Sequence, residues 1–491
     1  MEQTAPFLFL RRLAWLCAGI FAVSASFALV YHPASAGRIE AGTFTAHDTF
    51  DNQNPVRVTF QQPFDTPPIV VALPSQNGNN SASIRITNVG TDGFDELILE
   101  PDNWDGRHIV MTVPYVAIEP GRHVLPDGTV IEAGFSDISN VQFGSGFTGG
   151  VASFANVNFS SPLASIPMIL HQIQTANSET RNVANQSSRP HITSLSQNPT
   201  TFGFQLALER SQANSGPFPS TERVGWIALP NGTSGSFPNT AGTSINWASS
   251  TTSATIRGWD DGCFPFSHGQ SGGNPIVIAK KATRNNGDGG WLRYCTINGT
   301  TISLRVDEDR DQDNERGIAT GDAESAAILS FSQSFHANLA ASLDITKLRT
   351  STDDGAGSAF ATPDAIVTYL ITVTNSGNAP PNLGTVIVTE ELPAELDLVV
   401  ADFGGPGSGP IAFANGSPPA GMTCGFTSFA STTDCYSFST DGVDFTYTPA
   451  DSGDGTDPNV RYVRAQPSGF MNGDTGSGDP QFTLNLRARI R

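Results

Sequence analysis

The sequence predicts an all-β chain: three tandem six-stranded antiparallel β-sandwiches, followed by a further β-sandwich at the C-terminal end. Three observations carry this expectation. Gly 49 and Pro 33 among 491 residues punctuate β-branched runs into short strands and turns. A motif of about 90 residues recurs along residues 37–338. Beyond Ala340 the composition shifts and a strict apolar–polar alternation begins.

At 491 residues the chain is too long for a single hydrophobic core. Lysine is almost absent, so the Glu–Lys ladders of surface helices cannot be written with these residues. The formal charge of −20 speaks against nucleic acid or an anionic membrane surface as partner, since both demand a cationic face.

Residues 1–36 read as a signal peptide. Arg11 and Arg12 supply the positive n-region, Leu13 to Val30 are almost all apolar, and Ala34-Ser35-Ala36 offers a small-residue cleavage site. The apolar stretch is also long enough for an uncleaved N-terminal membrane anchor, which stays open as the alternative. The mature chain is expected to be exported, at the cell surface or outside the cell, with the periplasm as the other compartment. Cys17 lies in the leader. The spacing of Cys263, Cys295, Cys424 and Cys435 fits two local pairs, 263–295 and 424–435, in an oxidising compartment. Each would stabilise its domain by about 3 kcal/mol. No CxxC pair supports a zinc site instead.

Ile39-Glu40-Ala41-Gly42 returns at Ile131-Glu132-Ala133-Gly134. Val58-Thr-Phe60 through Pro68-Ile-Val-Val matches Val157-Asn-Phe159 through Pro167-Met-Ile-Leu without a gap, and a weaker third copy runs from Phe266 through Pro275-Ile-Val-Ile278. Each copy brings a strand with an inward Phe to a proline-bearing bend, then an apolar run suited to a buried strand. The second halves recur too. Gly93-Phe94 leads to Leu97-Ile98-Leu99-Glu100 and on to Val113-Pro-Tyr115. Gly203-Phe204 leads to Leu206-Ala-Leu208-Glu209 and on to Val224-Gly-Trp226. In copy three, Ile302-Ser-Leu304 precedes the closing run Ala326-Ala-Ile328. The expected organisation is a leader at 1–36, copies at 37–125, 126–232 and 233–338, and a final module at 339–491.

These motifs resemble the H-type lectin domain of snail agglutinins and the C-terminal part of discoidins. The resemblance covers residues 37–336 and implies a six-stranded antiparallel sandwich that binds N-acetylgalactosamine or galactose as glycan partner. Because that family trimerises, it also implies that three copies in one chain pack as an intramolecular pseudo-trimer. In the last module, Tyr369-x-Ile-x-Val-x-Asn-Ser-Gly followed by Glu391-Leu-Pro-Ala resembles the bacterial surface repeat known as domain of unknown function 11. That resemblance implies an immunoglobulin-like sandwich and a bacterial exterior.

Sugar sites need planar polar groups for the hydroxyls and an aromatic face for the ring. In the H-type family an arginine near the second-half strand, a Trp-His pair in the next loop and an aspartate supply these. Counting back from Gly93-Phe94, the arginine position falls on Ser81, and in copy two on His191, a departure that bears on galactosamine specificity. Copy one places Asp102, Trp104, Asp105, Arg107 and His108 in the loop of the Trp-His pair, and these are the candidate carbohydrate-binding residues. The alternative is a polar hairpin tip with a half-buried Trp. In copy three the same region carries Asp307, Asp309, Asp311 and Asp313, alternating carboxylates able to offer oxygens to a hard cation such as Ca2+. The interleaved Arg310 and Arg316 make a solvated acidic loop the alternative. No other cofactor is implied.

No zinc-protease helix or phosphate loop is present, and no enzymatic activity is expected. The expected function is carbohydrate binding in surface adhesion or recognition. The second reading is a structural cell-surface β-repeat protein without a small ligand.

Overall fold

The computed structural model describes residues 27–30, 37–47, 55–99, 108–142, 152–178, 192–210, 220–308, 315–357 and 360–491. Apart from two single-turn 3-10 helices, every regular element among them is a strand, and the strands form several antiparallel sheets.

Each copy contributes to one four-stranded sheet and to a second sheet, of three strands in copies one and three and of four in copy two. In copy one, Gly37–Ala46, Met111–Ile118 and Ile69–Ala72 lie side by side, opposite a sheet of Val56–Thr59, Gly93–Leu99 and Ser83–Thr87. Phe60, Phe64, Phe94, Val113 and Tyr115 fill the space between the two. Copy two repeats this plan with a core around Phe159, Phe204 and Trp226, and copy three with one around Leu292, Ile302 and Ile328.

The recurring residues have recurring tasks. Glu40 accepts the backbone N–H of Gln61, and Glu132 that of Ser160, so each glutamate pins the residue after the inward Phe. A Cβ on Gly93 would overlap the carbonyl oxygen of Val58, and one on Gly203 that of Val157. Both strand crossings admit only glycine.

After each closing strand the chain enters the neighbouring sheet. Met111–Ile118 is followed by Gly121–Val124, which pairs with Val130–Ile138 of copy two. Glu222–Pro230 is followed by Ser234–Pro238, which pairs with Ser244–Thr251 of copy three. Ala326–Phe331 is followed by Phe335–Leu339, which returns to Gly37–Ala46 of copy one. Sheet membership therefore runs past the boundary expected at 125, and a strand from 233–338 completes the sheet of copy one. The outward faces of the three four-stranded sheets meet in a common core holding Ile69 and Val71, Met168 and Leu170, and Ile276 and Ile278.

The last module builds a larger sheet on Ile366–Asn375 and Gln481–Ile490, whose residues alternate between buried and half-buried, the period of a strand with one face inward. A second sheet of Ile387–Glu391, Tyr462–Ala465 and Tyr436–Ser439 closes over it, and Val388, Tyr436 and Phe482 share its core. Phe27–Val30, inside the expected leader, adds to the free edge of Ile387–Glu391. The module rests on the repeats through Ala379 in the common core and through the amide of Gly473, which donates to Pro126.

Candidate binding groove between copies three and one

The turn at residues 75–82 of copy one lies across two strands of copy three, Trp291–Ile297 and Thr301–Asp307. Arg293 binds that turn from below. Its Nε donates to the Ser75 carbonyl at 2.8 Å, and its two Nη atoms donate to Asn80 and Asn77. Asp307 holds Arg293 at 2.8 Å and Arg316 at 2.9 Å, with all three side chains buried. The indole N–H of Trp291 donates to Ala82, and the rings of Trp259 and the guanidinium groups of Arg293, Arg305 and Arg316 stack within 5 Å. This seam of buried, mutually hydrogen-bonded charges is a rigid base for whatever lies beside it.

Beside it opens a groove of about 340 Å³, walled by Thr43, Thr112 and Pro114 of copy one and by Asn274, Tyr294 and Asn298 of copy three. Tyr294 belongs to both regions. Its backbone N–H donates to Pro74, its phenol donates to the Thr112 carbonyl at 2.8 Å, and its side chain lines the groove. Burial pushes the phenol up to about 12, so it stays a neutral donor. Thr43, Thr112, Asn274 and Asn298 stand exposed on the rim. The Asn298 side-chain oxygen is committed to the amides of Thr300 and Thr301, which fixes the turn that carries it. The groove thus pairs apolar walls with hydroxyl and amide groups on a rigid frame.

Of the sequence-derived site residues, Asp102, Trp104, Asp105 and Arg107 lie outside the described residues. His108 is buried. Its Nδ1 lies 2.6 Å from the Ile109 carbonyl, and its ring packs against Gly78, beneath the 75–82 turn and not in the groove. The loop ending at His108 leads into Met111–Ile118, which carries Thr112. Asp309, Asp311 and Asp313 lie outside the described residues, and both carboxylate oxygens of Asp307 are engaged by arginines. Among the described residues no group of three or more His, Cys, Asp or Glu is placed to hold a metal. Cys263 with Cys295 and Cys424 with Cys435 stand at bonding distance, the pairs expected from spacing.

Ser81 donates to the Glu308 carbonyl. Strand register instead aligns Arg85, opposite Leu97, with Arg293, opposite Arg305. Counting from Gly93 missed both arginines. The readable signal was a lone arginine between apolar residues, Ile84-Arg85-Ile86 and Leu292-Arg293-Tyr294. A second missed device is a glutamate clamp. Glu222 takes the amides of Asn177 and Ser178, and Glu324 takes those of Asn285 and Asn286. Copy one has Met111 at this position, and there Arg293 holds the loop instead.

No protein-family model matches the sequence, and no curated protein matches it.

Proposed function

We propose that the chain is an exported, non-enzymatic, lectin-like protein that binds carbohydrate in the groove between copies three and one. On this reading the three copies are H-type-lectin-like sandwiches closed into an intramolecular pseudo-trimer, and the C-terminal module is an immunoglobulin-like surface element. One observation carries it: Tyr294, fixed through its phenol, lines the same groove as Thr43 and Thr112, with Asn274 and Asn298 exposed on the rim. A pyranose presents the complementary pair of faces, apolar C–H groups on one side and hydroxyls on the other. Trp104 and Arg107 precede Thr112 in the sequence and stay candidate sugar contacts under the same proposal. The two paired cysteine sets fit an oxidising, extracellular setting.

A structural spacer is the second reading, favoured by the wholly buried Arg293–Asp307 seam, which serves assembly and not ligand. A glycan array probed with residues 37–491, with calcium and with chelator, separates the two. Discrete hits support the lectin reading. A flat array together with ordered self-assembly supports the spacer.

A further inference from the structure

Above the two apolar layers of the common core, the pattern changes. The position after Ala72 in copy one is Leu73. Its counterparts, one residue beyond His171 and Ala279, are Gln172 and Lys280. There the three copies enclose a cavity of about 50 Å³ lined by Arg85, His171, Gln172, Ser194, Lys280 and Lys281. Lys281 is neutralised by Glu209 of copy two at 2.7 Å, and Arg284 shares the same carboxylate. Among the described residues Lys280 has no such partner. Its ammonium donates to the Gln172 side-chain oxygen, and Gln172 in turn faces the Ile84 carbonyl at 3.5 Å. His171 is 2% exposed. Its Nδ1 meets the Ser194 hydroxyl at 2.8 Å, while its Nε2 makes no well-formed hydrogen bond among the described residues, with the Lys281 carbonyl near the ring.

We propose that this cavity is a binding site for a small inorganic anion of halide or nitrate size, held by Lys280 and the Nε2–H of His171. A half-buried ammonium with no carboxylate among the described residues favours an anion, and the His171 ring N–H lining the same cavity is a second donor. In the tautomer in which Nδ1 accepts from the Ser194 hydroxyl, the ring proton sits on Nε2 and is available to an anion. The volume admits a few water-sized spheres, which excludes a sugar or a phosphate ester. The site lies apart from the groove, and its occupancy ties together strands from all three copies.

Crystals of the full chain soaked in sodium bromide, measured at the bromine absorption edge, are expected to show an anomalous peak within hydrogen-bond distance of Lys280 Nζ and His171 Nε2. No peak there overturns the proposal. In solution, replacing sodium gluconate by sodium chloride at constant ionic strength should raise Tm by about 3 °C. The shift should vanish in Lys280→Gln. Equal Tm values in the two salts, or an undiminished shift in Lys280→Gln, contradict the site. Should Lys280→Gln fail to fold, the bromide map and the wild-type salt comparison decide alone.

Discussion

Arg293 and Asp307 sit on adjacent strands of copy three, 2.8 Å apart and with no exposed side-chain surface, and through them copy three grips a turn of copy one. The pair is satisfied on every side. Asp307 also takes Arg316 and the amide of Glu308, while Arg293 takes three carbonyls of the 75–82 turn.

Removing one member should therefore cost far more than the pair contributes. Arg293→Met leaves the buried carboxylate with one arginine instead of two, and leaves three carbonyls without that donor. The expected loss is about 3–5 kcal/mol, read as a lower urea midpoint. Arg293→Met combined with Asp307→Leu should regain part of it, because the uncompensated charge is gone.

The Asp307 geometry also bears on calcium. With both oxygens engaged by arginine, Asp307 has nothing to offer a cation. Thermal unfolding in calcium and in chelator should give the same Tm within about 1 °C. A clear rise with calcium would assign the acidic loop a metal after all.

His171 makes stability depend on pH. Burial, reinforced by Lys280 and Lys281, lowers its imidazole to about 3. The unfolded chain takes up the proton near 6.5 and the folded chain does not, so stability is present above 6.5 and is lost as pH falls toward 3. Between pH 6.5 and 5 the loss is about 1.5 kcal/mol, and His171→Gln should remove that part of the slope in denaturant unfolding.

Glu390 gives the opposite sign. Burial outweighs Lys347 and raises its carboxyl to about 7, so its contribution is present below about 4.5 and is lost as pH rises through 7. Lys347 also lies over the Tyr369 ring at 4.1 Å. Lys347→Met should destabilise the module by about 3 kcal/mol near neutral pH, with much less effect at pH 5, where Glu390 is protonated. Equal losses at both pH values would contradict this account.

Much of the repeat architecture was legible because identical residues do identical work. Glu40 and Glu132 hold the same amide, and Gly93 and Gly203 face the same close carbonyl. The strands that pass between copies were not legible. Gly121–Val124 and Phe335–Leu339 are short, and their partners are set by how the copies close on one another and not by local alternation. The site was read less well. His108, expected among the sugar-binding residues of its loop, is buried with its ring against Gly78. Arg85 and Arg293 both lie eight residues before the strand they pair with, and the count to the family's arginine, twelve back to Ser81, passed over Arg85.

The groove is tested most directly by a glycan array probed in parallel with the wild-type chain and with Thr112→Val/Asn274→Ala, both exposed side chains on its rim. The account predicts a restricted set of hits whose signal falls at least about tenfold in the variant, a loss of about 1.4 kcal/mol, with Tm unchanged. Hits of equal strength in the two proteins, or none with the wild type, would contradict it.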